Sequence, residues 1–251
     1  MWQNFLNKLV ERQAWMALAL PLWVMGSFIL VQVLVGLIYG LLQAAGIPFG
    51  DANEAVVNTV FGGIVYILTI AMVIGLPWAL KKYKTSKEDL GLTRSASWLD
   101  MLLAPAGFIV YLILSATFVA LASNLPFIDM DQAQDTGFNQ LNQGYEYILA
   151  FLMLVVIAPV AEEVLFRGYL FGKLRKHVPL VIAILITSVL FALAHGAWNV
   201  GIDVFALSIV LCLLRVISKS LWPSILLHMI KNGLAFYLLF INPTLLSTLG
   251  G

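Results

Sequence analysis

Seven apolar runs, most of them close to the roughly 20 residues that carry a helix across a bilayer, set the terms on which this chain can fold. They cover residues 17–42, 56–80, 99–122, 147–171, 180–197, 204–216 and 221–241. Inside a bilayer a backbone N–H or C=O left unpaired costs several kcal/mol, so each run has to fold as a helix that satisfies its own peptide groups. The rest of the composition agrees. The chain is 61% hydrophobic and 11% charged, with a mean hydropathy of +0.96, whereas soluble domains are about 45–50% apolar and about 25% charged. The expectation is an all-α, polytopic transmembrane helical bundle of seven to eight transmembrane helices. It divides into an N-terminal part, 1–144, with an interfacial helix and three spans, and a C-terminal core, 145–240, that carries the polar intramembrane residues.

The loops assign the sides of the membrane. Lys8 and Arg12 precede the first span; Lys81, Lys82, Lys84, Lys87 and Arg94 follow the second; Lys173, Arg175 and Lys176 follow the fourth; Arg215 and Lys219 flank the last turn. The alternate connections, 43–55, 123–146 and 198–203, contain no Lys or Arg. By the excess of Lys and Arg in cytoplasmic loops, the N-terminus is expected in the cytoplasm of an integral, plasma-membrane protein. The first apolar run is far longer than the 7–15 residues of a cleavable signal, so it reads as a retained span. Trp2, Phe5, Leu6 and Leu9 ahead of it fall on one face, as in a short interfacial helix. A net charge of +1, with basic residues dispersed over the loops, excludes a nucleic-acid surface. The single cysteine, Cys212, excludes an intramolecular disulfide and reads as packing.

Against this apolar background three polar groups stand out: Glu162, Glu163 and Arg167 in "PVAEEVLFRGYLFG", Phe191 and His195 in "LFALAHG", and His228 and Asn232 in "LWPSILLHMIKNG". Residues four apart share a helix face, so Glu163 can pair with Arg167, and His228 points with Asn232. Adjacent Glu162 and Glu163 point about 100° apart and therefore do different work. Glu162 lies 16 residues before Val178 and His195 lies 17 after it. In an antiparallel hairpin both then sit about 25 Å from the turn, at one level. His228 and Asn232 reach about 13 and about 20 Å from the turn at Lys219 by the same rise. Two local structures remain open for the first group. "PVAEE" can begin a new amphipathic helix, with proline and acids in the first turn, or Pro159 can interrupt one long helix whose freed carbonyl is satisfied by a neighbour. Taken singly, His195 can be packing and His228 with Asn232 interhelical glue. Together at compatible depth they point to a functional site, because ionisable groups inside a membrane are costly.

The chemistry these residue types allow is peptide hydrolysis by an activated water. Glu162 takes a proton from water, His195 holds that water and moves protons, and His228 with the Asn232 amide stabilises the oxyanion. Other intramembrane designs lack their motifs: there is no H-E-x-x-H zinc helix, no G-x-S-x-G elbow, and "PFGD" has Pro48 where an aspartyl motif needs glycine. The favoured mechanism requires no cofactor. Zinc held by Glu162, His195 and His228 is the other arrangement the residue types permit. A non-proteolytic scaffold or regulator that binds partner helices is the competing function; a transporter is disfavoured because no internal repeat is present.

In order and spacing, "EEVLFRG", "FALAHG" and "LWPSILLHMIKNG" resemble the E-E-x-x-x-R, F-x-x-x-H and H-x-x-x-N motifs of the CPBP, or Abi, intramembrane protease family (CAAX prenyl endopeptidase type II and bacteriocin-immunity-like). The resemblance covers about residues 145–240, with "DLGLTR" at 89–94 a weaker echo. It implies eight transmembrane helices around a membrane-embedded catalytic chamber open to the cytoplasm. Carried over by motif position, it implies Glu162 as base, His195 positioning water, His228 and Asn232 as the oxyanion site, and Glu163, Arg167 and Phe191 in support. The implied substrate is a peptide or membrane protein in the lipid bilayer, in a bacterial setting.

Overall fold

The structure, a computed structural model, describes residues 2–46, 53–80, 84–125, 137–138 and 141–245, with side chains from Trp15 onward. Eight helices build the fold, and no strand occurs among the described residues: α1 Trp2–Ala44, α2 Glu54–Ala79, α3 Lys87–Leu90, α4 Trp98–Ala122, α5 Gly144–Leu174, α6 Leu180–Leu193, α7 Trp198–Ser218 and α8 Trp222–Ile241. Six of them, all but α3 and α6, are long and apolar enough to cross a membrane. The chain is thus an all-α polytopic membrane protein. The 14 residues of α6 are apolar but span only about 21 Å. The expected fifth span, 180–197, is cut short by a turn: Gly196 adopts a left-handed backbone with φ +74°, and the Ala197 N–H bonds back to the His195 carbonyl. That break leaves His195 at the mouth of the turn rather than within a helix.

The N-terminal residues run into the first span as one helix, so the expected interfacial segment is not a separate element. The side chains that would define its face lie outside the described residues, as do 47–52, 126–136 and 139–140 in two of the three connectors free of basic residues. Leu18, Leu22, Ile29, Leu37 and Leu41 of α1 face outward, and so do Ile109, Ile113 and Leu121 of α4. In an aqueous protein such a belt would be an error; against acyl chains it is the expected surface.

Three apolar clusters fill the interior. One joins α1, α2, α5, α6 and α7 through Val24, Val73, Leu165, Phe171, Phe191 and Cys212. A second packs α4 on α7 and α8 through Ala104, Leu207, Leu211 and Leu227. A third sets α2 and α8 against the start of α5 through Ala55, Ala150, Met153 and Phe236. Gly107 lets α4 approach closely here: a Cβ would come within 3.0 Å of Leu214 and 3.2 Å of Leu227. The polar site lies along α5, beside the first and third of these clusters.

The connections rich in Lys and Arg gather at one end of the bundle. Ser86 caps α3 reciprocally with Asp89, and Asp89 binds Lys176 and faces Lys173 at 4.0 Å. The Arg215 guanidinium donates to the carbonyls of Glu88 and Asp89, both at 3.3 Å. The Leu221 N–H donates to Gly91 O at 2.9 Å, and the Trp222 indole N–H donates to Arg94 O at 2.9 Å. Gly91 turns with φ +73° against the Arg215 side chain, where a Cβ would collide. Segment 86–94 therefore clasps the ends of α5, α7 and α8 together.

Burial raises the Asp89 carboxyl, but hydrogen bonds from Lys176 and Ser86 outweigh it and hold the group at about 2. A carboxylate depressed below its ordinary 3.8 stabilises fully above that value and ceases to do so as pH falls through about 2. Lys176 is 58% exposed, so water screens the pair to about 1 kcal/mol or less. Limited proteolysis in detergent is expected to cut segment 84–94 faster as pH drops from 4 to 2, and Asp89→Asn should remove that pH dependence.

Candidate active site

Helix α5 runs unbroken past Pro159, so no new helix begins at "PVAEE". It does so by widening. Residues Leu152–Ile157 and Glu163–Leu170 take π-helical turns; the Ala158 N–H reaches back five residues to Met153 O, and the Phe171 N–H to Phe166 O. The next bond in the first ladder would come from residue 159 to the Leu154 carbonyl. Proline has no N–H to give. Asn232 of α8 supplies the missing donor, its Nδ2 lying 2.9 Å from Leu154 O. An orphaned backbone acceptor inside the membrane is thus satisfied by a side chain 78 residues away.

The two glutamates then diverge. Glu163 is fully buried; its Oε1 accepts from Arg167 Nη1 at 2.8 Å and from His228 Nδ1 at 3.0 Å. Arg167, also fully buried, lies 4.1 Å over the centroid of the Phe191 ring. Glu162 turns the other way. Its Oε1 accepts from the Tyr66 hydroxyl of α2 at 2.5 Å, and its Oε2 stands 3.7 Å from His228 Nε2. His228 therefore sits between both carboxylates, bonded to one and facing the other. Four groups from three helices lock one another in place.

Glu162, His195 and Asn232 line one cavity of about 410 Å3, walled by Tyr66, Phe191, Lys231 and apolar residues of α1, α5, α7 and α8. His228 lies behind this wall, 2% exposed. His195 Nδ1 is 2.8 Å from the Phe191 carbonyl. A carbonyl only accepts, so Nδ1 carries the proton and Nε2 is left with a lone pair. The Phe191 ring meets His195 and His228 edge-on at centroid separations of 4.8 and 5.8 Å. That one ring orients both histidines and covers the guanidinium, a fuller task than packing. Among the described residues no three His, Cys, Asp or Glu side chains form a group able to hold a metal. In the set Glu162, His195 and His228, the His228 Nδ1 is held by Glu163 and its Nε2 faces Glu162 at 3.7 Å, the arrangement in which a ligating histidine gives its other N–H to a carboxylate.

Two participants lie outside the fixed positions of the three motifs. Tyr66 is one tyrosine in an apolar run, and nothing in "IVYILTI" marks it as the partner of a carboxylate 96 residues on. Lys231 adjoins Asn232 and shares the His228 face at i,i+3, which is a signal that the motif spacing alone passes over.

A membrane bundle that holds paired glutamates, two histidines and an asparagine around an internal chamber defines the class. Residues 144–234 match the family model described as type II CAAX prenyl endopeptidase Rce1-like. The chain is 32% identical over 94 residues to the membrane-embedded CAAX protease MroQ of Staphylococcus aureus (strain USA300), covering 35% of this chain and 38% of that protein. It is 27% identical over 132 residues to the UPF0177 protein YxdF of Lactococcus lactis subsp. lactis (strain IL1403), covering 53% of this chain and 69% of that protein. No solved structure matches. The similarity to type II CAAX prenyl endopeptidases thus lies in residues 144–234, and the chain spans 38% of the length of the first of these relatives.

Removing one partner of a buried ion pair leaves an uncompensated charge and costs about 3–5 kcal/mol. Arg167→Met is therefore expected to lower the thermal midpoint in detergent severely. The double change Glu163→Gln with Arg167→Met removes both charges and should recover much of that loss, measured as a double-mutant cycle on Tm.

Proposed function

We propose that the chain is an intramembrane endopeptidase that hydrolyses a peptide bond with a water activated by Glu162 and His195. The observation that carries this reading is the shared chamber: a carboxylate, an imidazole with a free lone pair and an amide open onto one cavity inside a membrane bundle. Water bound between Glu162 and His195 Nε2 gives its proton to Glu162, and the hydroxide attacks the scissile carbonyl carbon. The oxyanion accepts a hydrogen bond from the second Nδ2–H of Asn232. His228, bonded to Glu163 through Nδ1 and facing Glu162 through Nε2, braces the base from behind the wall. As the C–N bond breaks, Glu162 returns its proton to the leaving amine. The products are an acid and an amine, with one water consumed. Tyr66 holds Glu162 by its other oxygen, so the base enters the reaction already oriented.

The route as written needs no metal. In this reading α6 completes a seventh crossing, with α3 and its clasp on the cytoplasmic side together with the N-terminus. The gathering of basic segments at one end supports that orientation. Similarity to two bacterial proteins supports a bacterial plasma membrane. Substrates are peptides or membrane-protein segments that reach the chamber from the bilayer.

Glu162→Gln and His195→Ala are each expected to lower cleavage of a reporter peptide by 10²–10⁴-fold, about the contribution of a positioned acid–base group, while the protein still inserts and unfolds cooperatively. Tyr66→Phe should fall between these and the unaltered protein. A scaffold would tolerate all three, so full retention of function would refute hydrolysis. Cleavage is also expected to persist after dialysis against a strong chelator. Loss of activity that returns on adding zinc would replace the metal-free route with a metal-bound one.

A further inference from the structure

Lys231 is the one charge in the chamber wall that the hydrolytic route leaves without a task. An ammonium at this depth is costly and needs a partner. Its partner is Asp203 of α7, with Nζ 3.4 Å from Oδ2. Asp203 is itself held from the other side: the hydroxyls of Tyr111 and Ser115 on α4 donate to Oδ1 at 2.6 and 2.5 Å. Both hydroxyls are spent on Oδ1, so Oδ2 is left to Lys231 alone. The carboxylate thus acts as a fixed seat joining α4, α7 and α8, and the lysine rests on it.

The seat orients the ammonium without using it up. The contact with Asp203 is a charge pair rather than a directed hydrogen bond, and no described residue accepts from any of the three Nζ–H donors. The side chain is 19% exposed, and it lines the cavity with Glu162, His195 and Asn232. An ion pair is a poor staple for helices, because the cost of desolvating two charges can exceed their attraction. This one presents unspent donors to the place where a substrate sits.

We infer that Lys231, seated on Asp203, is a subsite for a carboxylate carried by the peptide. This assignment rests on the hydrolytic reading and deepens it. A single ammonium already shared with one aspartate matches a monoanion, whereas a phosphate dianion would bring two charges to half a cation. Glu162 repels an anion at its own end of the cavity, so the bound carboxylate marks which end of the peptide lies toward α7. In water-poor surroundings such a charge-assisted contact is far stronger than at a surface. The carboxylate comes either from a free C-terminus or from an Asp or Glu side chain near the scissile bond.

The test is competitive cleavage by the full-length protein in detergent of a defined peptide library, read by mass spectrometry. Each peptide is present with a free and an amidated C-terminus, and with each Asp or Glu and its amide counterpart. The acid form is expected to have a kcat/KM about tenfold or more above its amide form, as a hydrogen bond to a charged group implies. The C-terminal pairs and the side-chain pairs tell which carboxylate is read. Lys231→Arg should retain the preference. Lys231→Gln should abolish it, and so should Asp203→Asn with Lys231→Gln, which leaves no buried aspartate unpaired and keeps the test available if the single variant fails to fold. A preference that is unchanged in these variants, or that never existed, overturns the subsite. So does an equal loss on acid and amide peptides, which would make Lys231 an oxyanion donor. If the folded, unaltered protein cleaves nothing in the library, the hydrolytic reading fails, and the subsite with it.

Discussion

A carboxylate and a guanidinium with no access to water have to neutralise each other where they stand, and the rest of this bundle is arranged around the pair that does so. Glu163 and Arg167 are both fully buried and 2.8 Å apart. Unpaired, either charge at this depth would cost about 3–5 kcal/mol, a large share of a typical domain's stability. Once the pair is set, Glu163 has an oxygen to offer to His228, and Arg167 has a face to offer to Phe191. The Phe191 ring in turn fixes the edge against which both histidines lie. Glu162, one residue earlier, is carried to the opposite side, toward α2 and the cavity. The separation of the two glutamates into a buried, paired one and one that faces the cavity is a consequence of where the counter-ion sits.

Much of this was legible before any coordinates. Hydrophobic runs are the strongest signal a sequence carries, and the all-α architecture and the Glu163–Arg167 pairing follow from spacing and charge. Depth arithmetic on the turn at Val178 placed Glu162 and His195 at one level, because helix rise is nearly constant whatever the packing. Contacts between helices were not legible in the same way. Tyr66 to Glu162 and Asp203 to Lys231 depend on how α2, α4, α7 and α8 rotate against one another, and a single sequence contains no record of rotation. The early end of α6 was also missed. One glycine in an apolar run gives no notice that it will adopt a positive φ.

Asn232 lies between these cases. Its position four residues after His228 identified it, yet the role suggested by that spacing concerned a reaction intermediate. In the resting structure it repairs a backbone defect created by Pro159. The two tasks are compatible, since the amide has two N–H groups and the Leu154 carbonyl takes one. They also make the residue a difficult one to interpret by substitution alone: an alanine there withdraws an intramembrane hydrogen bond from α5 before any substrate arrives.

The wide turns of α5 bear on how proteins of this kind are compared. A π-turn is equivalent to one residue inserted into a helix without a loop to hold it. The two stretches in α5 flank the short segment Ala158–Glu162, so the proposed base stands between two such insertions. A relative without the first of them would keep the letters E-E and the length of the motif but turn the pair by about 100°, slightly more than a quarter of a revolution. Its outward glutamate would then be the second. Gapless alignment treats the two adjacent acids as fixed columns, whereas their identity as base or counter-ion belongs to the phase of the helix and has to be established for each chain.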